Sequence, residues 1–206
     1  MKRLMVSVLL VLLVLPVFAT GTKEPVASTG DKTKVIFTVA GNPHRFFHLT
    51  PKGCGGDDNI VLANVYDNLL CLENDGSLSY ALAESYDLNP EGTIYTFHLR
   101  KGVRFTDGTP MTPEDVKFSL DKGAAGPLGG PLLINYKETR IIDDHTIEVE
   151  LTAPYAAFPY CVASRVGGIA SKKYWERVGD DGYMEKPIGT GPYKLVAYAA
   201  NDYVTL

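Results

Sequence analysis

The stretch Ala83–Lys122 (AESYDLNPEGTIYTFHLRKGVRFTDGTPMTPEDVKFSLDK) constrains the fold more than any other part of this 206-residue chain. Thr93, Tyr95, Phe97 and Leu99 alternate there with Ile94, Thr96, His98 and Arg100, the period of two expected of a strand with one buried, aromatic face. Asn89-Pro90-Glu91-Gly92 ahead of it is a turn, because proline presets φ and glycine accepts a positive φ. Beyond Lys101-Gly102, Val103 and Phe105 keep the parity of Tyr95, Phe97 and Leu99, which predicts a second short strand, and Asp107-Gly108 predicts the next turn. Thr112-Pro113-Glu114-Asp115 then opens a helix, with a hydroxyl N-cap, proline at the first helical position and acids at the positive helix end. Val116, Phe118 and Leu120 supply its apolar residues.

The start of the chain carries a different signal. Lys2 and Arg3 precede a nearly unbroken apolar run, Leu4 to Phe18, and Val17-Phe18-Ala19 suits a cleavage site. The run falls short of the ~20 residues that span a bilayer, so residues 1–19 are expected to be a secretory signal peptide. Residues 20–34 (TGTKEPVASTGDKTK) are small and polar, the composition of a flexible N-terminus. No cysteine lies near the cleavage point, so no lipid anchor is expected there. Loss of Lys2 and Arg3 takes the formal net charge from −4 to about −6. Such a mildly acidic exported protein has no electrostatic footprint for nucleic acid or an anionic membrane. Export permits disulfides, and Cys54, Cys71 and Cys161 allow one bridge in three pairings with one thiol left over. Cys71, within the apolar run Val65–Leu72, reads as a small buried hydrophobe.

Along the rest of the chain, Val35–Ala40 is a continuous apolar run that predicts a strand buried on both faces. Gly41 to Asp58 holds two prolines and four glycines and is expected to be a long loop, a kind of segment that often carries function. Ile60, Leu62, Ala63, Val65, Tyr66, Leu69 and Leu70 approach a helical period and predict an amphipathic helix over Asn59–Leu72. Leu78–Leu88 is a short helical or extended approach to the central stretch. Gly123–Pro131 is a loop. Tyr136–Ile142 and Thr146–Leu151 form a hairpin, with Ile147, Val149 and Leu151 inward and Glu148 and Glu150 outward. Tyr155–Ser164 predicts a short helix bent at Pro159, and Ser171–Val178 another with Ser171 as its cap. Strands are expected at Tyr193–Tyr198 and from Tyr203 onward. The chain stops inside this last strand pattern, so a longer protein is expected.

Few of these residues suggest catalysis. Ile188-Gly189-Thr190-Gly191-Pro192-Tyr193 lacks the third glycine of a dinucleotide fingerprint and the lysine of a phosphate loop, and is expected to be a tight turn into a strand. His44 and His48 stand four apart, but no glutamate follows His44 and Pro51 discourages a long helix, so neither a protease motif nor a metal site is expected. Phe46 and Phe47 could wall an apolar pocket or pack the loop onto its own domain. No G-x-S-x-G occurs, and the acids of 143–150 read as solvated charges rather than an acid/base pair. The residues themselves predict an exported mixed α/β protein that is not an enzyme and needs no cofactor.

Several blocks taken together resemble one family. Leu82-Ala83-Glu84-Ser85-Tyr86, Tyr95–Phe105, Asp107–Thr112 and Asp115-Val116 are similar to the extracellular solute-binding proteins (family 5) of peptide-type ABC transporters, which include oligopeptide-, dipeptide- and nickel-binding proteins. Val65–Leu70, Asp144–Ile147 and Gly189–Lys194 match further landmarks in the right order, so the resemblance covers roughly 35–206. It implies a partial periplasmic-binding-protein type II fold, mixed α+β. Val35–Asp58 and Ser164–Leu206 would belong to the first lobe, Asn59–Ala163 would form an extra small domain, and the second lobe would be missing. It further implies a monomeric, periplasmic substrate-binding component that captures oligopeptides or dipeptides and delivers them to permease subunits in the inner membrane. The backbone after the first strand lines the ligand cleft in that family, which points to Asn42, His44, Arg45, Phe46 and Phe47, although the family's common leucine-aspartate-proline is absent there. The alternative is a nickel-binding or sensory module built around His44, His48 and Cys54.

Overall fold

A computed structural model describes residues 41–52 and 55–206. The expected signal peptide, the segment 20–34, the strand at 35–40 and Cys54 lie outside them.

The helix expected over Asn59–Leu72 is shorter. Asn59–Val65 forms α1, whereas Leu70–Leu72 is strand β1, paired antiparallel with β2 at Leu78–Tyr80. The reason lies in the carbonyls between them. Asp67 O accepts from Ile169 N at 2.9 Å, Asn68 O from Leu82 N at 3.0 Å, and Leu69 O from Ala83 N at 3.0 Å. These long-range bonds replace the helical ladder, and the apolar residues at 69 and 70 serve either structure. Cys71 is consequently exposed, not a buried hydrophobe, because only Leu70 of β1 faces the core. Cys71 and Cys161 are both free thiols.

The central stretch forms β3 (Ala83–Leu88) and β4 (Ile94–Leu99), antiparallel and in register at Tyr86↔Phe97. Asn89 builds the turn between them: its Oδ1 accepts from the N–H groups of Thr93 and Ile94, both at 2.8 Å. Tyr95, Phe97 and Leu99 are buried, as the alternation requires. The second strand expected at Val103–Phe105 does not form. Gly102, at φ 74°, turns the chain away, leaving a single bridge between Arg104 and Pro110. Helix α2 spans Pro113–Ala125, three residues beyond the expected end, and the Asp115 carboxylate reaches back to the Thr112 N–H at 2.8 Å. Strands β5 (Tyr136–Asp143) and β6 (Thr146–Leu151) form the expected hairpin and complete a sheet of order β3-β4-β6-β5.

Helix α3 spans Phe158–Val162, with Pro159 in its first turn rather than at a bend. Helix α4 spans Lys172–Glu185 and has the expected cap, since the Ser171 side chain accepts from Tyr174 N. It is broken at Gly179 (φ 69°, ψ −173°), just after the expected end at Val178, and continues for another short turn. The last strands, β7 (Ala197–Ala199) and β8 (Tyr203–Thr205), pair as a hairpin around Asn201, at φ 60°. Strand β7 is shorter than the expected Tyr193–Tyr198, because Tyr193 N is drawn instead to Asn64 O at 3.1 Å.

Two apolar clusters hold these elements. One joins the inner face of the four-stranded sheet (Tyr95, Phe97, Ile147, Val149) to Val116 and Leu120 of α2 and Phe158 and Val162 of α3. The other joins Phe46, Phe47 and Leu49 to Val61, Leu62 and Val65 of α1 and to Tyr174 and Tyr183 of α4. The chain crosses from the first to the second between Ile169 and Ala170, while Met111 and Leu128 pack against both.

Candidate functional site

The expected site loop is held by a residue that sequence reasoning missed. Asp58 is buried, and its carboxylate collects three backbone N–H groups: His44 at 2.8 Å and Arg45 at 3.1 Å on Oδ1, and Gly55 at 2.7 Å on Oδ2. Charge-assisted bonds of this kind stabilise a carboxylate that has lost its water. The loop closes further on itself, with the His44 ring Nδ1 2.8 Å from Asn42 O and Arg45 Nη1 donating to Lys52 O at 2.9 Å. Asn42 Oδ1 accepts from Asn201 N at 2.9 Å, which ties the loop to the β7–β8 turn.

The five expected site residues therefore divide. His44 and Phe46 lie on a groove of about 790 Å³ whose other walls include Tyr174, Met184, Leu195 and Tyr198. Phe46 meets the Tyr198 ring edge-on at 5.0 Å, and its carbonyl accepts from the Tyr66 hydroxyl at 2.8 Å. Asn42 and Arg45 brace the loop rather than the groove. Phe47 is wholly buried and stacks on Tyr183 at 4.3 Å and 18°, so it packs the loop onto its domain and walls no pocket. The sequence left open whether the two phenylalanines wall a pocket or pack the loop onto its domain; both are buried, and only Phe46 borders the groove.

His48 is buried beneath the same loop. Its Nε2 lies 2.8 Å from Gly168 O, its ring meets Tyr66 edge-on at 4.7 Å, and its Nδ1 has no hydrogen-bond partner. Burial lowers its pKa to about 4, with the Gly168 bond opposing the shift, so the ring is neutral at pH 7. His44 and His48 thus serve separate backbone carbonyls. Among the described residues no group of three or more His, Cys, Asp or Glu could hold a metal ion, and Cys54 of the alternative metal reading lies outside them.

The glycine turn at 189–191 clamps the end of α1. Gly191 N donates to Val65 O at 3.0 Å and Tyr193 N to Asn64 O at 3.1 Å, satisfying carbonyls that a helix terminus leaves open. A Cβ on Gly189 would stand 1.9 Å from Val65 O. The close approach accounts for the glycine, and no phosphate cradle is formed. Across the sheet, Glu148 and Glu150 share Arg140, at 3.1 and 2.5 Å, on the outer face, which makes them solvated, neutralised charges.

The chain matches the model of the bacterial extracellular solute-binding proteins, family 5, over residues 77–206. It belongs to that family. The glutathione-binding protein GsiB of Escherichia coli is 34% identical over 149 residues, 70% of this chain and 28% of that protein. The periplasmic binding protein DppA of Helicobacter pylori, solved with the peptide STSA, superposes with a TM-score of 0.64 at 29% identity, covering 76% of this chain and 36% of that one. NikZ of Campylobacter jejuni, solved with Ni(L-His), superposes at 0.66 with 26% identity, covering 76% and 32%. The chain thus spans about 28% of the curated relatives it matches. The family-5 model begins near β2, so α1 and the loop held by Asp58 precede the matched region.

Proposed function

We propose that this chain is the solute-capturing part of an ABC transporter's substrate-binding component, taking oligopeptides or dipeptides outside the inner membrane and delivering them to permease subunits. The observation that carries the reading is the family-5 match over 77–206 together with the likeness to DppA solved with a peptide. In this reading the cluster of Phe46, Val61 and Tyr183 belongs to the first lobe and the four-stranded sheet to the extra small domain. Helix α1 then goes with the first lobe, because its buried side chains pack on Phe47 and Leu49 rather than on the sheet. The groove bordered by His44 and Phe46 is one wall of the ligand cleft. Backbone groups along an extended peptide supply affinity with little side-chain selectivity, and the ligand biases a hinge toward its closed state through a better fit there. The expected signal peptide and mildly acidic charge agree with a monomer working in the periplasm without nucleic acid. No helix among the described residues is long and apolar enough to cross a membrane.

Capture of a nickel complex is the second reading, and the likeness to NikZ with Ni(L-His) favours it. Such a ligand would be cargo. Calorimetry of the purified protein with glutathione, with the peptide Ser-Thr-Ser-Ala and with Ni(L-His) separates the two readings. Saturable heat with either peptide is the expected result. Heat with Ni(L-His) alone establishes the second reading, and heat with none of the three overturns both.

A further inference from the structure

We infer that Asp58 is the positioning residue of the ligand-facing loop: it sets the shape of 42–46 by taking the His44 and Arg45 amides onto one carboxylate oxygen. This rests on the proposal that the loop walls the ligand cleft. Three observations carry it. Asp58 is buried with 1% of its surface exposed, yet neither carboxylate oxygen is spent on capping α1, whose N-cap position it occupies without a side-chain bond to the helix. Both oxygens point back along the chain, across 13 and 14 residues to Arg45 and His44 and across three to Gly55. Holding the consecutive amides of His44 and Arg45 on a single oxygen bends the backbone at the residue before Phe46. Phe46 can then turn to the groove while Phe47 enters the core.

The amides that Asp58 takes are lost to a ligand. His44 and Arg45 N–H cannot also receive a peptide carbonyl or carboxylate, so this wall meets its ligand through what the bend displays, the half-exposed His44 ring, with the buried Phe46 as the packed floor of the groove. Two of the loop's other bonds lie in solvent, whereas the Asp58 carboxylate is buried. The His44 ring contact with Asn42 O spans two residues and is solvent-exposed, and the Arg45 bond to Lys52 O is exposed as well. An asparagine at 58 would aim one amide group at N–H donors and lose charge assistance on the others. If the loop then visits the bound shape only about a tenth of the time, affinity falls about tenfold.

The test compares wild type, Asp58→Asn and a control, Asp115→Asn, which alters a buried carboxylate bonded to Thr112 and Lys172 rather than to the loop. Amide hydrogen exchange is followed by NMR, and binding is measured by calorimetry with glutathione and with Ser-Thr-Ser-Ala. In wild type the His44 and Arg45 amides should exchange far more slowly than an exposed loop allows, a measurement that needs no variant to fold. In Asp58→Asn those two amides should lose protection and peptide affinity should fall about tenfold, while Asp115→Asn lowers thermal stability and leaves affinity unchanged. Unprotected His44 and Arg45 amides in wild type, or unchanged exchange in Asp58→Asn, overturn the role of Asp58 whatever binds. Lost protection with unchanged affinity overturns its role in capture. Failure of wild type to bind either probe overturns the proposed peptide function, and with it the ligand half of this inference.

Discussion

His48 shows how a single buried ring ties this chain together and makes it sensitive to acid. It links the loop after Phe47 to the carbonyl of Gly168, 120 residues away, and burial holds its pKa near 4 against an ordinary 6.5. The unfolded chain therefore takes up a proton first as the pH falls. Native stability is complete above about pH 6.5 and declines until about pH 4, below which both states are protonated. The difference amounts to about 3 kcal/mol. Urea titrations between pH 7 and 4 should show that decline, and His48→Gln, which still donates to Gly168 but does not titrate, should remove most of it. An equally steep decline in the variant would place the effect elsewhere. Gly189 is a second sensitive residue for a steric reason. A methyl group there meets Val65 O at 1.9 Å, so the turn must leave the end of α1. Gly189→Ala should cost about 3 kcal/mol in chemical denaturation, whereas alanine at Gly56, which has open space around it, should cost far less.

Among the elements, the joint between α2 and α4 gathers the buried polar residues Asp115, Ser119 and Ser171. Three consecutive amides are taken by three side chains: Ala170 N by Ser119 Oγ at 2.9 Å, Ser171 N by the Tyr183 hydroxyl at 2.8 Å, and Lys172 N by Asp115 Oδ1 at 2.8 Å. Burial pushes the Asp115 carboxyl above its usual pKa, opposed by its bonds to Thr112 and Lys172, and burial raises the Tyr183 phenol in the same way. Asp115→Asn would set an amide donor against a backbone N–H and should lower stability by about 1–3 kcal/mol. Gly179 marks the break in α4 with a conformation that side chains avoid (φ 69°, ψ −173°). Gly179→Ala should cost about 1–3 kcal/mol, read as a fall in the denaturation midpoint. Where period, cap and burial agree, the sequence was readable: β4, the β5–β6 hairpin and α2 stand where Tyr95, Ile147 and Thr112 placed them. It was not readable where carbonyl partners decide, as at Asp67 and Asn68, or where a positive-φ glycine redirects the chain, as at Gly102. The site loop was legible as a segment but not as a shape. Nothing in the spacing of Asp58 announces that it will receive His44 and Arg45.

For the whole molecule, the proposed function gives the two apolar clusters different roles, one as scaffold and one bordering the ligand. The sheet's inner face packs into the first cluster and its outer face carries the Arg140–glutamate array, while a groove of about 650 Å³ at its edge is lined by Ile141, Phe118 and Trp175, away from the 42–46 loop. The second cluster instead presents the groove beside His44, Phe46 and Tyr198. The most direct test is an NMR titration of the purified protein with Ser-Thr-Ser-Ala. The amide signals that move should belong to 42–46 and to 195–198, while those of Thr96, Arg140 and Glu148 on the outer sheet face stay fixed. Shifts confined to the sheet face, with the loop and β7 unmoved at saturating peptide, would contradict the proposed site.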